Sequence, residues 1–231
     1  MTMATNVSMG TINDILIRQE NNIVLVLAVS LEGFHTMYAN HGTPFKSEEI
    51  KDHWSQYGKE AANRGTWMHY LVELWLNRCP VSLASPEMQL FEAFVRELQE
   101  LRAYRTEWQI FGEQEFLAGS IDFVASDVDG NLVLFDWKRT KDLGSKYENR
   151  FGEIMFSPLQ HISDCCGQHY RLQLNCYRYL LQKYYGVIVS QMYVVGLNPD
   201  NGAKAYVDNV PVMESETEAL MAWQRQQVHS M

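Results

Sequence analysis

A chain of 231 residues, 46% of them apolar and 12% aromatic, can bury one sizeable core, and a single α/β domain is the first expectation. Its formal net charge of −9 argues against diffuse binding to polyanions, so a nucleic-acid partner would have to be met by a local basic patch or by metal ions. The longest apolar run, residues 23–31, falls far short of the ~20 residues of a membrane span and has no basic region before it. Four cysteines (Cys79, Cys165, Cys166, Cys176) show neither CxxC spacing nor a disulfide framework. The chain therefore reads as soluble and intracellular, in cytoplasm or nucleus, and not secreted.

Residues 23–30 and 34–38 read as a hairpin about Gly33, in an N-terminal region 1–45. A helical segment, 46–104, follows. Acidic residues after Ser47 and the recurrence of Trp54, Tyr57, Ala61, Met68, Val72 and Trp75 predict a helix, in two pieces meeting near Gly65. A second helix opens on Ser85 and Pro86, a good cap and first-turn pair, and shows no chemistry of its own. Then the period changes from helical to alternating. "TEWQIF", "EFLAGSIDFVAS" and "NLVLFDWKRT" are three consecutive strands, the last two joined at Asp129-Gly130. A helix over 168–185 and strands over 187–197 and 204–210 complete a catalytic unit of sheet and helix, 105–210. A C-terminal helix occupies 211–231. Strands framed by helices in this order predict a mixed β-sheet flanked by helices on both faces.

Two carboxylates, Asp122 and Asp136, interrupt apolar strands. Alternation puts Asp136 and Lys138 on one face whatever the register. A two-residue turn at Asp129-Gly130 would send Asp122 to the other face. A three-residue loop, Val128 to Gly130 with Gly130 left-handed, would set Asp122 opposite Asp136 and gather both with Lys138 within ~5–8 Å; this register is the one expected. Paired buried carboxylates stay ionised only with a cation between them, and all-oxygen ligation suits Mg²⁺ or Mn²⁺. Removing Asp136 should then relieve repulsion and leave the fold intact or more stable. A surface salt bridge of Lys138 with Asp136 is the ordinary alternative.

"GSID", 13 intervening residues and "DWK" together resemble the PD-(D/E)XK nuclease signature in its RecB-like exonuclease branch. "GTWMH" (Gly65 to His69) upstream and "QLNCY" (Gln173 to Tyr177) downstream fit in the same order. Ile121 replaces the proline of the signature and Asp136 its glutamate. The cysteine cluster of the iron-sulfur members is missing, so no such cluster is expected. The resemblance implies an α+β, restriction-endonuclease-like core over one nuclease domain, 1–231. It implies that His69, Asp122, Asp136 and the backbone carbonyl of Trp137 ligate one or two metal ions, and that Lys138 activates water. Gln173 and Tyr177 would contact substrate or support the site.

Each assignment has an ordinary rival. A lone helical histidine is more often a satisfied core or surface residue; the Gly-Thr-x-x-His context favours a ligand. Glu73, one turn on, reads as solvated or as support for His69. Glu107, on the strand before the hairpin, could bring a third carboxylate. "KRTKDLGSKYENR", 138–150, holds five basic against two acidic residues, and Arg139, Lys141, Lys146 and Arg150 are candidate phosphate contacts. Tyr147 and Phe151 there could stack on bases or pack the loop.

The expectation is a Mg²⁺- or Mn²⁺-dependent hydrolase of DNA phosphodiester bonds, an exonuclease on ends or single strands. The resemblance further implies a place in DNA repair, replication or recombination, with a helicase or replication partner. An RNA-cleaving endonuclease with the same residues, an inactive nucleic-acid-binding module, and one domain of a larger helicase-nuclease remain open.

Overall fold

The computed structural model describes residues 10–11, 47–98, 100–149 and 151–229. The hairpin expected over 23–38, and Arg150 of the basic stretch, lie outside them. Strand β1 (Gly10–Thr11) precedes helix α1 (Ser47–Leu76) and helix α2 (Pro86–Val95). Three strands follow, β2 (Arg102–Gly112), β3 (Leu117–Ser126) and β4 (Leu132–Lys138), then a short 3₁₀ turn, Leu143–Tyr147. Helix α3 (Cys166–Tyr185), β5 (Val189–Gly196), β6 (Tyr206–Asn209) and helix α4 (Glu214–His229) complete the order.

Local chemistry accounts for these boundaries. Ser85 caps α2 by accepting the Met88 N–H, and Pro86 occupies the first turn, where a missing N–H costs nothing. Gly186, at φ 66°, ends α3 in a left-handed conformation that side chains resist. Helix α1 departs from expectation. It runs unbroken for 30 residues through Gly65, because one helical glycine costs only about 1 kcal/mol against alanine and the packed turns after it, with Met68 and Val72 buried, anchor the helix.

The strands form one mixed sheet, ordered β2-β3-β4-β5-β6, with β1 parallel to the start of β3. From β2 to β6 the neighbours are antiparallel except β4 and β5, whose parallel pairing needs a crossover that α3 supplies. The β3–β4 hairpin has the expected register: Phe123 pairs with Phe135 and Ser126 with Leu132. Its loop closes through Gly130 N–H to Asp127 O at 3.1 Å, with Gly130 at φ 82°.

Each sheet face buries a core. On one face, Leu172, Cys176 and Leu180 of α3 and Leu220 and Met221 of α4 pack on Ile110, Val124, Leu134 and Val194. On the other, Met68 and Val72 of α1 and Phe91 and Phe94 of α2 cover Phe123, Phe135 and Trp137. Strand β4 is apolar almost throughout because both faces are covered, so an aspartate within it demands a reason. No described helix is long and apolar enough to cross a membrane.

Candidate active site and metal centre

The β3–β4 ladder stops at Phe123–Phe135, and the site lies where it stops. Asp122, the next residue of β3, turns its carboxylate to β4 and accepts the Trp137 N–H on Oδ2 at 2.8 Å. Helix α1 brings His69 to the same point. Its Nε2 lies 2.9 Å from the Trp137 carbonyl oxygen. A carbonyl only accepts, so Nε2 carries the proton, and in the neutral ring Nδ1 presents a lone pair. That lone pair faces Asp122 Oδ1 at 3.6 Å. Two acceptors so placed leave a position suited to a cation.

Glu107 supplies the third donor. It sits on β2 across from Asp122, between the paired positions Thr106–Phe123 and Trp108–Ile121, with a left-handed φ of 43°. Ser120 donates to its Oε2 at 3.1 Å. One ligand atom each from His69, Glu107 and Asp122 lie within 4.8 Å of one another. An open pocket of about 450 Å³, lined by Gly65, Thr66, His69, Tyr70, Glu73 and Glu107, leads to this trio.

The electrostatics of the group agree with an ion's place there. Burial, with Asp136 nearby, pushes the Asp122 carboxyl well above its ordinary range. Burial also raises Glu107, with Glu73 adding to it, and lowers His69 so that the ring is neutral near pH 7. Two carboxylates held at a cost beside a neutral imidazole is the donor set that a hard divalent cation would relieve.

Asp136 behaves differently. Its side chain is 5% exposed, and Lys138 Nζ lies 3.0 Å from Oδ1 and 2.8 Å from Oδ2. The Oδ2 contact lacks hydrogen-bond direction, and that buried oxygen has no other partner. Burial works against the Lys138 charge, but Asp136 and Asp122 outweigh it and hold the lysine above its usual pKa. Gln173 Oε1 stands 3.5 Å from the ammonium, and Gln173 Nε2 donates to the Tyr177 hydroxyl at 2.9 Å. Tyr177 in turn packs on Gly119, where a Cβ would overlap the ring, which explains the glycine of "GSID".

The structure thus brings together His69, Asp122, Asp136, Lys138, Gln173 and Tyr177, and adds Glu107 to the metal trio. Asp136 stands outside that trio, paired to Lys138, and the Trp137 carbonyl receives His69. Arg139 is not an open phosphate contact here. Its Nε donates to Glu87 of α2 at 2.8 Å with both side chains largely buried, so α2 carries chemistry that its sequence did not show. Lys141 is exposed, 3.7 Å from exposed Asp200. Lys146 lies in the 3₁₀ turn. Tyr147 packs the loop: its hydroxyl donates to Asp208 at 2.7 Å and its ring lies beneath Arg171, whereas Phe151 is exposed. Tyr170, whose ring lies 4.7 Å from Lys138 Nζ, is a site residue the sequence analysis missed. Its only sequence signal is its place one turn before Gln173 on the same helix face.

The family model for the PD-(D/E)XK nuclease superfamily matches residues 45–231, which includes every residue of this site. The chain belongs to the PD-(D/E)XK nuclease superfamily. The mixed sheet with helices on both faces is the restriction-endonuclease-like core of that superfamily. No curated protein matches the chain in sequence. Among solved structures, one from Eubacterium rectale, named provisionally as an exonuclease, is similar at 9% identity and a TM-score of 0.43. That similarity covers 72% of this chain and 65% of the other. The crystal structure of SSO0001 is similar at 14% identity and a TM-score of 0.29, over 63% of this chain and 62% of that one. The chain therefore spans less than two thirds of either. Within that core, His69, Glu107 and Asp122 form a candidate metal site.

Proposed function

We propose that this nuclease hydrolyses DNA phosphodiester bonds with Mg²⁺ or Mn²⁺, as an exonuclease acting on ends or single strands. One observation carries the metal dependence: His69 Nδ1 and Asp122 Oδ1 face each other at 3.6 Å as two acceptors, with Glu107 beside them. His69, Glu107 and Asp122 would hold the ion, with Asp136 and the Trp137 carbonyl adjacent. When bound, a divalent cation supplies Lewis acidity to the scissile phosphate and makes its water more acidic.

The remaining chemistry falls to the protein. Asp136 keeps Lys138 charged, so its ammonium can donate to the attacking water or to a phosphate oxygen as negative charge grows. Gln173 and Tyr177 hold that lysine from the α3 side. Exposed Lys141, with Lys146 and Arg150, would guide the phosphate backbone toward the site. We assign the nuclease unit to one domain, with 105–210 as its catalytic part.

The experiment is cleavage of end-labelled single-stranded DNA, duplex DNA and RNA with Mg²⁺, Mn²⁺ or EDTA, beside Asp122→Asn. Metal-dependent release of mononucleotides from DNA, absent in the variant, is the expected result. Cleavage that persists in EDTA or in Asp122→Asn overturns the proposed site. A ladder of internal fragments, or cleavage of RNA alone, overturns the exonuclease or the DNA assignment respectively.

A further inference from the structure

The Lys138 side chain is 20% exposed, on a flexible stem whose ammonium could turn in many directions. Three groups bound it. Asp136 holds it from its own strand, at 3.0 Å to Oδ1 and 2.8 Å to Oδ2. Gln173 Oε1 stands at the limit of a hydrogen bond, 3.5 Å away. The ring of Tyr170 covers a further side, with its centroid 4.7 Å from Nζ. Tyr170, Gln173 and Tyr177 fall on one face of α3, at spacings of three and four residues, so one helix stripe presents ring, amide and phenol to the site.

We propose that Tyr170 is a positioning residue of the nuclease: its ring face holds the Lys138 ammonium in the orientation that hydrolysis requires. This inference rests on the nuclease reading above. A ring face attracts a cation without a lone pair to take its N–H protons. A second carboxylate at the same place would consume a donor; the aromatic face leaves one free for the water or phosphate. The ring is itself fixed, since it is partly buried and its hydroxyl lies 3.4 Å from Thr140 Oγ1, two residues beyond Lys138. Tyr170 thus ties the catalytic strand to α3 at two points, through the ring to Lys138 and through the hydroxyl to Thr140.

The test is a double-mutant cycle in the full chain. Tyr170→Leu should lower kcat about tenfold with KM and Mn²⁺ affinity unchanged, and Tyr170→Phe, which keeps the ring, should stay within about twofold of wild type. In a Lys138→Ala background Tyr170→Leu should change the residual kcat no further. The contact has its own readout in ¹³C-lysine NMR. The ε-methylene signal of Lys138, assigned by its loss in Lys138→Arg, should lie upfield under the ring and move to the ordinary lysine position in Tyr170→Leu. A Lys138 signal at the ordinary position in wild type overturns the inference whatever the kinetics. So does an active wild type whose kcat survives Tyr170→Leu, or an equal kcat loss in the Lys138→Ala background. A wild type that cleaves no nucleic acid with any metal overturns the nuclease reading itself, and is told apart because wild-type activity is measured first.

Discussion

The carboxylate of Asp122 accepts the backbone N–H of Trp137 at 2.8 Å, just past the last paired positions of β3 and β4, Phe123 and Phe135. A side chain takes over a bond that the sheet ladder no longer makes. The carboxylate is thereby fixed to β4 through Oδ2 while Oδ1 faces His69, so one residue ends the ladder and aims a ligand. Structural and chemical roles can be separated by choice of substitution. In Asp122→Asn the amide oxygen can still accept from Trp137, so the metal-free protein should melt at or above the wild-type temperature, because a strained carboxylate is gone. Manganese affinity and cleavage should be lost. Asp122→Ala strands the Trp137 N–H and should cost about 1–3 kcal/mol in denaturant unfolding. Equal stability of the two variants would contradict this division.

Asp136→Ala now carries a different expectation from the one its sequence suggested. Paired carboxylates alone imply that removing one relieves repulsion, but Asp136 is the ion partner of a lysine that is largely buried. The variant should lose about 3 kcal/mol in urea unfolding, since breaking a buried pair leaves an uncompensated charge. Asp136→Ala combined with Lys138→Met should recover most of that loss while remaining inactive. A single variant as stable as wild type would show that Lys138 finds water instead.

The second buried ionic cluster lies away from the site. Glu115 is fully buried at the β2–β3 turn, where Lys183, Tyr184 and Arg225 all donate to its carboxylate. Burial pushes this carboxyl up, yet the three hydrogen bonds prevail and hold it below its ordinary value. A depressed acid stabilises the fold fully above its unfolded value of about 4.3, and that contribution fades as pH falls through the lower folded value. Glu115→Gln should cost about 2–4 kcal/mol at pH 7, with the lower end favoured because Lys183 and Arg225 reach solvent. The deficit should shrink as pH falls below about 4. Thermal melts of both proteins from pH 7 to pH 3 check this, and a constant deficit would remove Glu115 from the acid response.

The basic stretch after β4 divides by its partners. Lys141→Ala with Lys146→Ala should weaken substrate binding at low salt and reduce the slope of log affinity against log salt by roughly 1–2, with little change in melting temperature. Arg139→Ala should instead lower stability, because it strands Glu87 of α2 in a partly buried place. Fluorescence anisotropy across a salt series, beside melts of the same proteins, separates the two effects. An unchanged slope in the lysine variant would leave that segment as a solvated loop.

The sequence by itself determined what near neighbours along the chain decide. The change of period at residues 105–138 marks three strands, Gly130 offers the left-handed position of a three-residue loop, and that loop gives the parity that puts Asp122 and Asp136 at corresponding positions. Ser85-Pro86 and Gly186 set helix ends through their own backbone preferences. What only the tertiary structure decided depends on groups distant in sequence. Glu107 joins His69 and Asp122 because β2 lies beside β3 and α1 crosses above them. Arg139 enters a partly buried ion pair because α2 brings Glu87 to it, and Tyr147 turns inward because Asp208 and Arg171 meet it. Asp136 changes from repelled carboxylate to ion partner because burial and α3 confine Lys138 beside it. Alternation and turn geometry are local and survive translation into a string of letters; the desolvation and pairing of charge are properties of the packed surroundings, which form only when the elements meet.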